Sequence, residues 1–398
     1  MNDDTALLRG IELHKAGRLS EAEAIYSKLM QERPGNGDVL HFMGMLRMHQ
    51  GRRPAAIELM QRSLKILPNN PHAWNNLGNL MMAEGQEDAA EHAYIQATTI
   101  APKLAEALFN LGVLFRRKRR PEDALKSFRA VLDSNPRFSG AYESLGLLLY
   151  RMGRSDHAAD VYRKWLEVEP NHPVARHMRA ATSGQSVPAR ADDRYIVNVF
   201  DQFATSFDKA LESLDYAAPQ LLSAAWAERI DFGRGNLDVL DIGCGTGLCG
   251  LLLRSSAKSL VGVDLSSKML AKAREREVYD ELVQAELCAF MRSRPARFDL
   301  VNCADTLVYF GELSEAASAA RLCLRPQGLF GFTVEAEPED SSEPYRLCGH
   351  GRYGHGADYV VSIMQKSGFT SIERESVVLR KERGEDVRGH MVIGRIPG

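Results

Sequence analysis

A 34-residue period governs the first half of the sequence. Gly10, Gly44, Gly78, Gly112 and Gly146 recur at that spacing, as do Ala22, Ala56, Ala90, Ala124 and Ala158, and Pro34, Pro68, Pro102, Pro136 and Pro170. Four residues after each alanine stands a bulky one: Tyr26, Met60, Tyr94, Phe128 and Tyr162. Several positions holding one period over five copies constrain the fold more tightly than composition does. A repeat of this length predicts a pair of antiparallel helices. The glycine of the first helix makes room for the bulky side chain of the second, and the alanine sits where the two helices cross closely. Proline ends the unit because it cannot continue a helix. Each pair leaves an apolar face that only the next pair can cover, so the copies must stack into a solenoid.

The pattern resembles the tetratricopeptide repeat family over residues 3–172, including its tryptophan at Trp74 in the third copy. Ala6 stands where the first copy would carry its aromatic, as suits a terminal repeat. "PVARHMRAAT", residues 173–182, is expected to form a capping helix that shields the last open face. The resemblance implies a concave groove that holds a peptide or another protein and does no chemistry itself. "RRKRR" at 116–120 falls at the turn between the helices of the fourth repeat. No aromatic stacking residues interleave with its charges, so it is taken as a solvated turn, not a nucleic-acid site.

The pattern then changes. "SGQSVPARADD", 183–193, is small, polar and proline-containing, which predicts a linker. Beyond it, strands near 237–242, 259–264, 281–285, 298–303 and 328–335 alternate with helices. Such a βαβ series predicts a parallel sheet covered on both faces. The tail alternates on both sides of "RGED", which predicts a hairpin adding two strands at the sheet edge, one of them antiparallel. The expected organisation is an all-α repeat solenoid over 1–182, a linker over 183–193, and an α/β Rossmann-like domain over 194–398 with a mostly parallel, seven-stranded sheet. A length of 398 residues fits two or three domains. A formal net charge of -2 gives no global field for nucleic acid or anionic membrane. No window approaches 18 uninterrupted apolar residues, so no membrane span is expected. The N-terminus "MNDDTALLRG" is acidic and lacks an apolar core, so no signal peptide is expected there. The six cysteines form no CxxC pair, so neither a zinc site nor a disulfide framework is suggested, and a reducing cytoplasmic compartment is the expectation.

Within the second half, "LDVLDIGCGTG" at 237–247 is an apolar run that stops on an acid, with Gly243, Gly245 and Gly247 after it. Ligands of open α/β sheets bind beyond the carboxyl ends of the strands, which is where this turn lies. Asp264 follows Gly243 by 21 residues and can accept both hydroxyls of a ribose. These features alone also fit a nicotinamide cofactor. The G-x-G-x-G spacing differs, however, from the G-x-G-x-x-G that places a pyrophosphate on a helix N-terminus. Asp241, two residues before the first glycine, is expected to face the loop. A carboxylate there would repel a pyrophosphate and suit the ammonium and sulfonium of S-adenosylmethionine.

"VLDIGCGTG" resembles motif I of the class I S-adenosylmethionine-dependent methyltransferases, and the resemblance covers about 195–398. It implies a cofactor set of Asp241, Gly243, Cys244, Gly245 and Gly247 in the turn, with Cys244 a small residue presenting backbone. Asp264, with Leu265 beside it, matches the ribose-binding acid, and Met269 the apolar residue near the adenine. Glu286, with Leu287, matches the acid that accepts from the adenine amino group, a position more often Asp. "FDLVNCADTLVYF" at 298–310 matches the fourth-strand segment, where Asn302 and Cys303 would line the methionine side. "FDQFATSFDKAL" at 200–211 resembles the helical lid of small-molecule methyltransferases. The fused arrangement looks like predicted bacterial methyltransferases with N-terminal tetratricopeptide repeats, which implies no known substrate.

Methyl transfer from a sulfonium asks the protein for alignment and a dry cavity. A base is needed only for a protonated acceptor. Asp305 and Tyr309 follow the fourth strand, and His355 lies in "YRLCGHGRYGHGADYV", 345–360, expected to be a loop that closes over the substrate. These three are the catalytic candidates. His350 and His355 find no third ligand at helical spacing, so no metal is expected. The lid favours a small enclosed acceptor and the repeats favour a protein. The alternative is a protein-interaction scaffold with a non-catalytic cofactor-binding domain, but a dead site has no physical need for an intact Asp241, Asp264 and glycine set.

Overall fold

A computed structural model describes residues 3–230, 233–338, 341, 343–382 and 384–398. Among them the chain forms nineteen α-helices and nine strands. By contacts it divides into two compact units, Met1–Arg154 with Glu167–Glu169, and Ser155–Leu166 with Pro170–Gly398.

The repeat helices are α1 (Asp3–Lys15), α2 (Leu19–Glu32), α3 (Gly37–His49), α4 (Arg53–Ile66), α5 (Pro71–Ala83), α6 (Glu87–Ile100), α7 (Ala105–Arg117), α8 (Pro121–Ser134), α9 (Ser139–Arg151) and α10 (Ser155–Val168). In the first unit the 34-residue period has a steric cause. A Cβ on Gly78 would stand 2.5 Å from Tyr94 Cε1, and one on Gly112 would stand 2.7 Å from Phe128 Cε1. Only a residue without a side chain lets the second helix come this close. Ala22, Ala56, Ala90 and Ala124 are fully buried at the crossings. The turn between the helices of a copy adds a further periodic constraint. Gly17, Gly51 and Gly85 hold φ near +73° there, while the fourth copy places Arg119 in the same left-handed conformation at φ 57°. Three cations of the basic run around it are paired within the unit. Lys118 pairs with Asp88 and Glu91, Arg117 with Glu87, and Arg120 with Glu91 and Asp123.

The second unit contains α11 (Pro173–Ser183), α12 (Asp193–Phe203), α13 (Phe207–Glu212) and α14 (Ala218–Arg229). It continues with β1 (Leu237–Ile242), α15 (Leu248–Leu253), β2 (Ala257–Asp264), α16 (Ser267–Arg274), β3 (Glu281–Gln284), α17 (Leu287–Arg292), β4 (Phe298–Cys303), α18 (Ser314–Cys323) and β5 (Leu324–Ala336). Last come β6 (Tyr345–Leu347), β7 (Tyr353–His355), α19 (Ala357–Lys366), β8 (Thr370–Glu382) and β9 (Glu385–Arg395). The sheet runs β3-β2-β1-β4-β5, all parallel, and then forks on β5. One branch is the expected tail hairpin, in which β9 pairs antiparallel with β5 and β8 with β9. Arg383, in the expected "RGED" turn, lies outside the described residues.

The other branch adds two short strands to the expected seven-stranded, mostly parallel sheet. The 345–360 segment, expected to be a loop over the substrate, folds as β6 and β7, and β7 adds to the end of β5 through Glu335 and Ala336. The expected linker also differs. Its Pro188 carbonyl accepts from Tyr353 Oη at 2.7 Å, Ala189 O accepts from Gly311 N at 2.8 Å, and Ala191 N donates to Tyr309 O at 2.8 Å. The expected capping helix, α11, groups with this unit as well. Ala180 and Ala181 share a core cluster with Leu347 and Tyr353.

The Gly78 contact is testable. Gly78→Ala pushes a methyl group into the Tyr94 ring and should destabilise the repeats by about 1–3 kcal/mol. The adjoining Tyr94→Leu change should recover part of that loss in the double variant, read as the first thermal transition by circular dichroism.

Candidate functional site

At the carboxyl ends of β1, β2 and β4 lies a cavity of 320 Å³. The turn after β1 forms its floor. Gly243, Gly245 and Gly247 all hold positive φ, at 66°, 55° and 89°. They do so for different neighbours. A Cβ on Gly243 would meet Thr306 at 2.0 Å, and one on Gly247 would meet Tyr279 at 3.0 Å. A Cβ on Gly245 would meet only Phe207, at 3.9 Å, so this glycine opens onto the cavity.

The amides of the turn are mostly spent on the protein. Gly243 N and Cys244 N donate to Val263 O at 2.7 and 3.0 Å, and Gly247 N donates to Cys244 O at 2.8 Å. Gly245 N donates to Asp264 Oδ2 at 2.9 Å, and Ser266 N donates to Oδ1 of the same carboxylate at 2.8 Å. A nest of amides that would hold a pyrophosphate is therefore absent among these described residues. Asp264 stands on the cavity wall with acceptor capacity left over, since a carboxylate offers about four lone-pair directions. Burial raises its carboxyl above the usual range, against the pull of the backbone amides.

Leu265, Met269, Glu286 and Leu287 line the same cavity. Glu286 caps α17, accepting from Cys288 N at 3.0 Å and Ala289 N at 2.7 Å. Asp241 is placed differently from the expectation that it faces the loop. It is 1 % exposed and lies beneath the turn, off the cavity wall. Its carboxylate accepts from Tyr279 Oη at 2.7 Å and from Asn302 Nδ2 at 2.9 Å. Asn302 Oδ1 in turn accepts from Trp226 Nε1 at 3.0 Å. Burial pushes the Asp241 carboxyl up to about 6, against the pull of Tyr279 and Asn302. Cys244, Gly247, Asn302 and Cys303 likewise stand behind the wall, and burial raises both thiols well out of the reactive range.

Helices α12 and α13, expected to be a lid, are fixed beside the cavity by two acids as well as by their aromatics. Phe200, Phe203 and Phe207 line the cavity, with Phe200 against Tyr309 at 5.6 Å. From α12, Asp201 accepts from Ser266 Oγ at 2.6 Å. From α13, Asp208 accepts from Thr246 Oγ1 and from Arg276, each at 2.5 Å. The lid is thus tied to the turns after β1 and β2.

The far end of the cavity carries a charged cluster. Asp305 and Tyr309 line it, together with His350, Arg352, Arg380 and Glu382. Arg380, 4 % exposed on its side chain, bonds Asp305 at 2.9 Å, Glu382 at 2.9 Å and Glu335. Arg352 bonds Glu335 and Glu382, each at 2.5 Å. Burial pushes the Glu382 carboxyl up, but Arg352 and Arg380 outweigh it and leave it at about 2. Burial raises Asp305 and Tyr309, and holds His350 at about 4, so its ring is neutral. Sequence reasoning missed Glu335, Arg380 and Glu382. His355, a catalytic candidate, does not reach this cavity. It lies fully buried in β7, with Nε2 donating to Phe310 O at 2.8 Å.

The chain carries tetratricopeptide repeats in its first half and a match to a methyltransferase domain in its second. A family model described as "Methyltransferase domain" matches residues 239–328. Two described as "Tetratricopeptide repeat" match 109–173, and 13–75 with 47–111. Malonyl-[acyl-carrier protein] O-methyltransferase of Enterobacter lignolyticus is 31% identical over 145 residues, which is 36% of this chain and 55% of that protein. Ubiquinone biosynthesis O-methyltransferase of Thiobacillus denitrificans is 31% identical over 134 residues, 32% of this chain and 53% of that protein. The chain spans about half the length of these curated relatives. Among solved structures, MamA is similar at 25% identity and a TM-score of 0.38, covering 40% of this chain and 94% of that one. Among the described residues no helix is long and apolar enough to cross a membrane.

The Asp241 environment makes a pH prediction. Its folded value of about 6 lies above the unfolded value near 3.9, so its burial cost is full above pH 6 and is lost as pH falls below about 4. Asp241→Asn keeps the shape and removes the charge. Its stability relative to wild type should therefore fall by roughly 2 kcal/mol between pH 7 and pH 4, measured by denaturant unfolding. A difference independent of pH contradicts the assignment.

Proposed function

We propose that the chain binds S-adenosylmethionine in the 320 Å³ cavity and transfers its methyl group to a small acceptor enclosed beneath the lid. The observation that carries this reading is the floor of the site. Gly245 opens onto the cavity beside the Asp264 carboxylate, while the neighbouring amides are spent on β2. That surface suits a ribose and a cation, and it does not suit a pyrophosphate. Asp264 would hold the ribose hydroxyls, and Met269 and Leu287 would face the adenine. Glu286 keeps lone pairs toward the amino group beyond those it uses on α17.

S-adenosylmethionine, when bound, supplies a methyl group already activated on a sulfonium. The protein's own residues exclude water and align the acceptor. The aromatic rings of α12 and α13 close the cavity. Asp305, tied through Oδ2 to Arg380, would take the proton from a hydroxyl acceptor, and Tyr309, against Phe200, would pack beside it. Both methyltransferase relatives named above are O-methyltransferases, which fits an oxygen acceptor here. The repeats would hold a peptide or protein partner in their groove.

Calorimetry tests the cofactor. S-adenosylmethionine should bind with a micromolar dissociation constant and NAD should not. Asp264→Ala, checked for folding by circular dichroism, should weaken binding by at least about tenfold, or about 1.4 kcal/mol. Binding of NAD alone, or of neither by folded protein, overturns the reading and favours the scaffold.

A further inference from the structure

Helix α11 follows the repeats in sequence, yet one of its side chains reaches the turn that builds the far wall of the cavity. His177 is buried, and its Nε2 lies 2.8 Å from Gly351 O. A carbonyl oxygen only accepts, so Nε2 carries the proton and donates. Nδ1 has no hydrogen-bond partner among the described residues, so the ring is neutral, in agreement with a value lowered by burial. The same ring stacks on Tyr195 with centroids 3.9 Å apart, and Tyr195 lines the cavity.

Gly351 is the hinge of a tight turn. Its φ is +91°, its N–H donates to Cys348 O at 2.7 Å, and Cys348 N donates to Arg352 O at 2.9 Å. A Cβ there would stand 2.7 Å from Tyr195 Oη and 3.0 Å from Met178 Sδ. The residues on either side of Gly351 are His350 and Arg352, whose side chains line the cavity. Arg352, like Arg380, bridges Glu335 and Glu382.

We infer that His177 is a positioning residue for the acceptor end of the site: it holds the 348–352 turn through Gly351 O and thereby sets His350 and Arg352. Among the described residues, the hydrogen bond and ring contacts of His177 go to Gly351, Tyr195 and Tyr353, none of them at the cofactor end formed by Asp264, Met269 and Glu286. The functional meaning of the acceptor end rests on the proposed methyltransferase reading; the geometry does not.

The test uses the full chain as wild type, His177→Gln and His177→Phe. Gln keeps an amide donor near the Nε2 position, and Phe keeps the stacked ring without a donor. Hydrogen exchange by mass spectrometry is read over peptides spanning 345–355 and, as a control, 237–247. Loss of a single buried hydrogen bond should speed exchange at 350–353 by about tenfold in the Phe variant, with Gln close to wild type. Affinity for S-adenosylhomocysteine, by calorimetry, should stay within about twofold throughout, because the ribose end is untouched. Unchanged exchange in the Phe variant, no rescue by Gln, or equal acceleration at 237–247 overturns the inference. Should the Phe variant fail to fold, nitrogen-15 spectra of the histidines in wild type decide it. A protonated Nε2 on His177 supports the bond and the other tautomer refutes it. If wild type itself fails to bind S-adenosylhomocysteine, the methyltransferase reading falls, while the exchange result still decides the role of His177.

Discussion

The hydrogen bond from Gly245 N to Asp264 Oδ2, at 2.9 Å, joins the ends of β1 and β2 and shapes the site around them. It turns the glycine loop toward β2, where Gly243 and Cys244 also donate to Val263 O. Once those amides are committed, the loop cannot cradle an anion, and the remaining acceptor capacity of Asp264 faces the cavity. The lid depends on the same two turns, because Asp201 binds Ser266 and Asp208 binds Thr246. Beneath, Asp241 is held by Tyr279 and Asn302, and Asn302 by Trp226. This buried chain connects β1, β4 and α14 to the segment before β3. It braces the turn from below at the cost of burying a carboxylate.

The opposite end of the cavity is built from ion pairs. Arg352 and Arg380 are matched by Glu335, Glu382 and Asp305. Within a low-dielectric wall such a cluster is rigid only while every member is paired, since removing one leaves a neighbour charged and buried. The cavity thus has two unlike walls, one of aromatic rings from α12 and α13 and one of paired charge.

Legibility in the sequence followed how local each constraint was. The repeats were readable because the same close contact, glycine against a bulky side chain, recurs at Gly10, Gly44, Gly78 and Gly112. Strands β1 to β5 announced themselves as apolar runs, and the expected ranges lie within a few residues of those observed. The Arg119 turn, at the position held by glycine in other copies, was a periodic signal left unused. The orientation of Asp241 was also available from strand alternation. It shares a face with Val239, which packs with Trp226, whereas Leu240 and Ile242 belong to the opposite core. Strands β6 and β7 were not readable. "YRLCGHGRYGHG" shows no alternation, and three residues become a strand there only because β5 offers an edge. Nor could spacing reveal the charged cluster, whose Glu335 and Arg380 come from distant strands. The apolar face of α11 suited either neighbour in sequence, and only packing assigns it to Leu347 and Tyr353.

The most direct test of the central claim is a crystal structure of the full chain with S-adenosylhomocysteine. The account predicts the ribose hydroxyls on the Asp264 carboxylate, the adenine between Met269 and Leu287, and the sulfur directed toward Asp305 and Tyr309. A ligand seated away from Gly245 and Asp264, or a cavity that stays free of ligand at saturating concentration, would contradict it.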